Sequence, residues 1–224
     1  MGKRLASLLF ILMFQFTALY GQEILTAQRH MELVSSNYAG IRDFEANVTI
    51  RSGNSNMSGT LSYLAPSFLR IDFTQPAGQV IVYNTEALTI YIPDMRAVLK
   101  QQISQGRRPS GGTAGIGLSL LRNNYVASFL VSPYPEPLEG SGERVIKLRL
   151  TRRSNAEGFR EIILSINPET RLIRRMEGRT LADSEVRFDF TNIRINQGIP
   201  EQRFVYDTPP SVNMYHNFLF RDNE

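Results

Sequence analysis

Hydrophobic positions along this chain recur with two different periods, and the change between them falls at Gly40. Through EILTAQRHMELVSSNYA, residues 23 to 39, the apolar positions Ile24, Ala27, Met31, Val34 and Tyr38 follow at steps of three and four. That spacing lays them on one face of an amphipathic helix, and glycine is the residue type that ends one. Beyond Gly40 the period becomes two. Phe44, Ala46, Val48 and Ile50 alternate with Asp43, Glu45, Asn47 and Thr49 until Ser52-Gly53-Asn54. Residues 59–64 read as a second strand, stopped by Pro66; Leu69, Ile71 and Phe73 then alternate with Arg70 and Asp72 as far as Gln75-Pro76. Val80 to Tyr83 is short and almost wholly apolar. After the turn residues Asn84-Thr85-Glu86, alternation resumes through Leu88, Ile90 and Ile92 up to Pro93-Asp94. Short alternating runs broken by tight turns predict the hairpins of an antiparallel meander.

The middle of the chain reads differently. Residues 101–117, QQISQGRRPSGGTAGIG, are polar and rich in glycine, with too few apolar positions to bury a core. They lead into GIGLSLLRNNYVASFLV, where Ile116, Leu118, Leu120 and Leu121 predict a short apolar helix. Strand alternation returns over residues 143–151, 159–166, 171–179 and 184–194, with Asn167-Pro168-Glu169-Thr170 as a turn between two of the runs. RFVYD predicts one more short strand ahead of an extended Pro209-Pro210 segment. The chain is thus expected to form about eleven strands around two helical pieces. A single sheet this large must curl strongly, or nearly close, to cover one of its faces. Closed and filled by its own side chains it is inert. Left open, with a helix across the mouth, it encloses a hydrophobic cavity.

The first residues stand apart from this pattern. Lys3 and Arg4 precede an uncharged, largely apolar run over residues 5–19, which ends in small residues around Ala18 and Gly21 before Gln22-Glu23. This is the layout of a secretory signal peptide cleaved after Gly21, and the run is shorter than the ~20 residues that span a bilayer. The expected domains are therefore a signal peptide over residues 1–21 and a single folded unit over 22–224. Removing Lys3 and Arg4 lowers the formal charge from +4 to +2, so the molecule is not strongly basic. Arg149, Arg152, Arg153, Arg171, Arg174, Arg175 and Arg179 alternate with acidic residues, as on a solvated sheet face. The chain has no Cys, which excludes disulfides, thiolate metal sites and Cys nucleophiles, and suits an exported bacterial envelope protein.

Chemistry is hard to place on this chain. The two histidines, His30 and His216, have no metal-ligand spacing around them, and Ser119 in GLSLL lacks the Gly of a nucleophile elbow. Gly111 to Gly117 superficially resembles a phosphate loop, but no Gly-Lys-Ser/Thr follows and no βαβ unit frames it. Neither an enzyme, a cofactor or metal, nor a nucleic-acid partner is expected.

Residues 59–95, GTLSYLAPSFLRIDFTQPAGQVIVYNTEALTIYIPDM, resemble the signature stretch of the periplasmic outer-membrane lipoprotein carrier family, the LolA-like proteins. The resemblance is carried by Gly59, Pro66, Phe68, Leu69, Arg70, Ile71, Phe73, Pro76, Val80, Val82, Leu88, Ile90, Tyr91 and Pro93. It returns in the closing FTNIRINQGIPEQRFVYDTPPSVNM and so covers most of the mature chain. Two positions depart from the family pattern. Ala65 stands where the best-studied carriers place a lid-latching Arg, and Asn84-Thr85 where the hairpin turn is usually Asp-Gly.

The resemblance implies a mainly β (α+β) fold: one curved antiparallel sheet forming an unclosed half-barrel, with helices across its concave hydrophobic face. It implies a monomeric periplasmic carrier without cofactor. Lipoprotein acyl chains would be loaded by an inner-membrane ABC transporter and passed to an outer-membrane acceptor. The same fold also suits an envelope lipid or glycolipid carrier, or a lipoprotein-binding stress sensor. The expected cavity lining is Leu69, Ile71, Phe73, Val80, Val82, Leu88, Ile90 and Ile92 from the sheet, with Ile116, Leu118, Leu120 and Leu121 from the covering helix.

Overall fold

A computed structural model of the chain describes residues 25–102, 118, 121–154 and 157–218. The expected signal peptide lies outside these residues, as do Ile116 and Leu120.

The N-terminal helix is present as α1 (Ala27–Ala39). Thr26 caps it: its hydroxyl accepts the Arg29 N–H at 3.2 Å, satisfying one of the first-turn donors. At the other end the Gly40 N–H donates to the Asn37 carbonyl at 3.1 Å. Ala27, Met31, Val34 and Tyr38 are buried, as their spacing predicts.

The first six strands precede the Gly-rich stretch: β1 (Asp43–Ser52), β2 (Ser55–Leu64), β3 (Phe68–Gln75), β4 (Val80–Tyr83), β5 (Ala87–Ile92) and β6 (Ala97–Gln102). Six more follow it, β7 (Tyr125–Phe129), β8 (Glu136–Pro137), β9 (Arg144–Arg152), β10 (Phe159–Ile166), β11 (Ile173–Thr180) and β12 (Glu185–Ile195), with β13 (Asn213–His216) near the C-terminus. They form one sheet in the order β13-β6-β5-β4-β3-β2-β1-β12-β11-β10-β9-β7, with β8 paired to β9. β13 joins β6 in parallel, and β7 and β13 remain as edges. The expected unclosed half-barrel is the fold.

β6, β7, β8 and β13 fall outside the alternating runs marked in the sequence, and with them the strands outnumber the expected eleven. The strand expected at RFVYD is corrected. Glu201–Phe204 is a 3-10 turn instead, and the last strand comes after the two prolines. The reason lies on the outer face. The Arg70 guanidinium donates to the Arg203 and Val205 carbonyls, so those groups are taken by a side chain and not by a ladder.

Strand pairing fixes what faces inward. Leu99, Ile90, Ile81, Ile71 and Leu61 lie opposite one another across β6, β5, β4, β3 and β2, and Leu61 meets Ala46 on β1. Farther along, Ile50, Phe188, Met176, Leu164, Leu148 and Phe129 form a second such row, from β1 to β7. One apolar face therefore runs the whole width of the sheet. Two clusters divide it. The first packs α1 through Met31, Val34 and Tyr38 onto Leu148, Leu150, Ile162 and Leu164. The second gathers Val48, Ile50, Leu61, Tyr63, Ile71 and Phe73 on β1–β3. Phe44 and Phe190 belong to the margins of both.

Gly59 shows how tightly the strands of the second cluster meet. A Cβ built there would lie on the Asp72 carbonyl and 2.8 Å from the Phe73 Cα, so no larger residue fits without moving β3.

Candidate functional site

The two clusters do not merge, and an irregularity in the sheet sits where they meet. β1 and β12 pair regularly from Ser52 to Asn47, and again at Glu45 and Phe44, but the register slips between Glu45 and Asn47. Ala46 thus faces an extra residue on β12, around Asn192 and Ile193, and Asn192 takes up a left-handed φ of 52°. Such a bulge bends its strand and re-aims side chains. Here Phe190, Ile193 and Ile195 all line the concave side, although strict alternation from Phe190 would turn both Ile193 and Ile195 outward.

An apolar cavity of about 210 Å³ lies under this bulge. Ala46 and Phe44 form its β1 wall, Phe190, Ile193 and Ile195 its β12 wall, and Leu172, Ile173 and Met176 its β11 wall. Tyr38 and Ile41, at and after the end of α1, close it from above together with Leu118. Leu118 and residues 121–124 are helical, at the place where the sequence predicts a short apolar helix. Ile195 is 38% exposed, so the cavity reaches the surface at this end of the half-barrel.

Its polar chemistry is sparse. Among the described residues Tyr38 is the single polar side chain in the wall, and its hydroxyl accepts the Ile173 N–H at 3.0 Å. Burial pushes the Tyr38 phenol up to about 12, against the smaller opposing pull of the Ile173 N–H and of the Arg174 charge. Among the described residues no group of three or more His, Cys, Asp or Glu is placed to hold a metal ion. His30 lies half-buried beside α1's contact with β7, its ring edge-on to Phe129 at 5.6 Å. Burial, with a smaller contribution from Arg171, holds its pKa below the ordinary value.

The expected lining residues fall into three groups. Leu118 is in the cavity wall, and Leu121 packs against the cluster beneath α1. Leu69, Ile71 and Phe73 share the concave face with Ile81 in the second cluster, and the pairing of β4, β5 and β6 places Leu88, Ile90 and Ile92 on that same face. These six form an apolar floor next to the cavity, not its wall. Val80 and Val82 correct the expectation: they lie on the opposite face, because Val82 pairs with Arg70 and Thr89, and Val80 with Asp72 and Tyr91. Val82 is buried there beneath the C-terminal segment that carries Phe204, and a charged cluster fastens that segment. Asp72 bridges Arg70 at 2.8 Å and Arg203 at 2.6 Å. Ile41, Leu172, Ile173, Met176, Phe190, Ile193 and Ile195 were not anticipated as lining, since nothing in their local pattern marks the bulge that gathers them.

The outer face has a different character. Arg175 and Arg187 share Asp189, Arg149 meets Glu161 at 3.2 Å, and Arg179 meets Glu185 at 2.7 Å. Larger hollows open among such residues, for example beside Arg51, Glu177 and Arg187, but charged side chains make up most of the lining there. Among the described residues no helix is long and apolar enough to cross a membrane.

Comparison with known proteins agrees with this architecture. A curated outer-membrane lipoprotein carrier protein of Bordetella avium is 22% identical over 157 residues, 70% of each chain. Among solved structures, an uncharacterized conserved protein from Thermus thermophilus superposes with a TM-score of 0.55 at 13% identity, covering 85% of this chain and 98% of that one. MucB in its complex with MucA from Pseudomonas aeruginosa gives a TM-score of 0.52 at 14% identity, covering 81% of this chain and 61% of that one. These structural likenesses show a shared fold. The family model described as outer membrane lipoprotein carrier protein LolA matches residues 42–207, and the chain belongs to that family.

Proposed function

We propose that this protein is a carrier that holds the acyl chains of a lipoprotein, or of another envelope lipid, between its concave sheet and its helices. On this reading it binds and releases cargo and performs no catalysis. It works in the periplasm after removal of a signal peptide, as a monomer, receiving cargo from an inner-membrane ABC transporter and yielding it to an outer-membrane acceptor. The observation that carries the reading is the cavity under the β1–β12 bulge, whose described lining is apolar except for one phenol and which opens at one end.

The energetics explain why such a surface is useful. Each methylene moved from lipid into water costs about 0.8 kcal/mol, so a multiply acylated protein does not cross an aqueous space unaided. A carrier must supply an equivalent apolar surface and must grip without strong polar bonds, so that release stays possible. Both conditions hold along the concave face. The cavity itself accounts for only part of the capacity. An apolar cavity of about 150 Å³ takes a molecule the size of benzene, so about 210 Å³ takes one hydrocarbon segment. Further chains have a place on the half-buried floor of Leu69, Leu88, Ile90 and Ile92, next to it.

The test is mass spectrometry of organic extracts from protein purified without detergent, paired with incubation of the stripped protein with a radiolabelled lipoprotein. Recovery of acyl-bearing species and retention of label on the protein are expected. Absence of both would remove the carrier reading.

A further inference from the structure

The cavity is not simply greasy, because a hydrogen-bond donor is built into its wall. Tyr38 is nine-tenths buried, and its hydroxyl oxygen already accepts the Ile173 N–H. The hydroxyl's own proton has no acceptor among the described residues, although Tyr38 and Ile173 both line the cavity. A buried donor left without a partner is costly, so natural structures seldom keep one without a use. With its pKa pushed up to about 12, the phenol remains protonated, and a donor, throughout the physiological range.

We propose that Tyr38 determines the specificity of the cavity: its O–H donates to the carbonyl oxygen of an acyl ester or amide whose hydrocarbon chain lies against Phe44, Met176, Phe190 and Ile193. The inference rests on the acyl-binding reading above and adds which end of the acyl group the protein recognises. The choice of a neutral carbonyl over a free carboxylate follows from the charges nearby. Among the described residues no cationic side chain lines the cavity, and Arg174, the guanidinium that acts on Tyr38, is taken by Glu143. A carboxylate would therefore be desolvated without a counter-ion, whereas a carbonyl needs only a donor. Tyr38, at the end of α1, lines the same cavity as the partly exposed Ile195, and on this reading the carbonyl sits towards the opening with the chain inside.

The experiment compares decane, methyl decanoate, N-methyldecanamide and decanoate as displacers of a fluorescent apolar dye from the wild-type protein and from Tyr38→Phe. Wild-type protein is expected to bind the ester and the amide about tenfold more tightly than the alkane, the equivalent of one hydrogen bond. Tyr38→Phe keeps the ring but leaves the Ile173 N–H without its acceptor, so its fold is checked by circular dichroism; it should still take up decane and lose that preference. A ¹³C-labelled ester carbonyl should also show its infrared stretch shifted to lower frequency in wild-type protein and unshifted in the variant. A preference for ester and amide that survives in Tyr38→Phe, or tightest binding of decanoate, overturns the assignment while leaving acyl binding intact. Failure of every probe to displace the dye from wild-type protein overturns the carrier reading itself.

Discussion

The rings of Phe44 and Tyr63 meet at a tilt across the β1–β2 ladder, with centroids 5.2 Å apart. Tyr38 from α1 approaches Phe44 edge-on at 6.5 Å. Phe44 therefore ties the helix to the half of the sheet that α1 does not reach, and it is also part of the cavity wall. Phe44→Ala removes both aromatic contacts and one margin of each cluster. Urea unfolding should show a loss of about 3 kcal/mol, the lower end for truncating a large aromatic because Phe44 is only partly buried. A loss below about 1 kcal/mol would mean that the two halves are stabilised independently.

How much of this was legible in the sequence depends on what set each feature. α1 and the strands of the meander follow from local spacing, and Met31, Val34 and Tyr38 are buried as that spacing requires. The sidedness of Val80–Tyr83 is not local. With every position apolar, the period cannot choose a face, and the choice is made by pairing with Arg70 and Asp72, whose charges must lie outside. Val82 is then buried on the outer side because the segment carrying Phe204 folds back over it. The cavity was the least legible feature. It arises from a register slip between β1 and β12, two strands more than a hundred residues apart, and the stretch TNIRI shows no turn residue pair that would announce it.

Asp72 holds the C-terminal segment down by pairing with Arg70 and Arg203 together. Arg70 is the more buried of the two, and Asp72 is about one-third exposed, so solvent screens part of the attraction. Asp72→Asn should cost about 1–2 kcal/mol. The more specific expectation is local: backbone amides of residues 201–206 should exchange with deuterium faster than in wild-type protein, while those of β9 and β10 should not. Uniform acceleration across the sheet would show that the cluster supports global stability and does not simply fasten the segment.

His30 gives the fold a pH dependence whose sign can be worked out. Its pKa lies below the ordinary 6.5, because burial and then the Arg171 charge disfavour the imidazolium. The folded protein therefore binds a proton less readily than the unfolded chain. Its contribution to stability is complete above about pH 6.5 and is lost as the pH falls from there through the lowered folded-state value. Chemical denaturation between pH 7.5 and pH 5 should show stability falling in wild-type protein, and falling less in His30→Gln. Parallel pH profiles for the two proteins would dismiss His30 as the titrating group.

Ala46 offers the most direct test of whether the hollow under the bulge binds cargo. It is buried, lies opposite Leu61, and is the smallest side chain in the cavity wall. Ala46→Leu should project its added carbons into existing space, so the usual overpacking penalty should be largely avoided and stability should stay within about 1 kcal/mol of wild type. The same carbons displace about three methylenes of ligand, worth about 2 kcal/mol in all, or about thirtyfold in affinity for a single-chain ester. Val82→Ala is the matched control. It removes buried volume from the outer face, so it should lower stability by about 1 kcal/mol or more while leaving ester affinity unchanged. If Ala46→Leu kept full affinity, the acyl chain would have to lie on the floor of Leu69, Leu88 and Ile90 alone. If Val82→Ala weakened binding as strongly as Ala46→Leu, affinity would be following general stability and not the shape of the concave face.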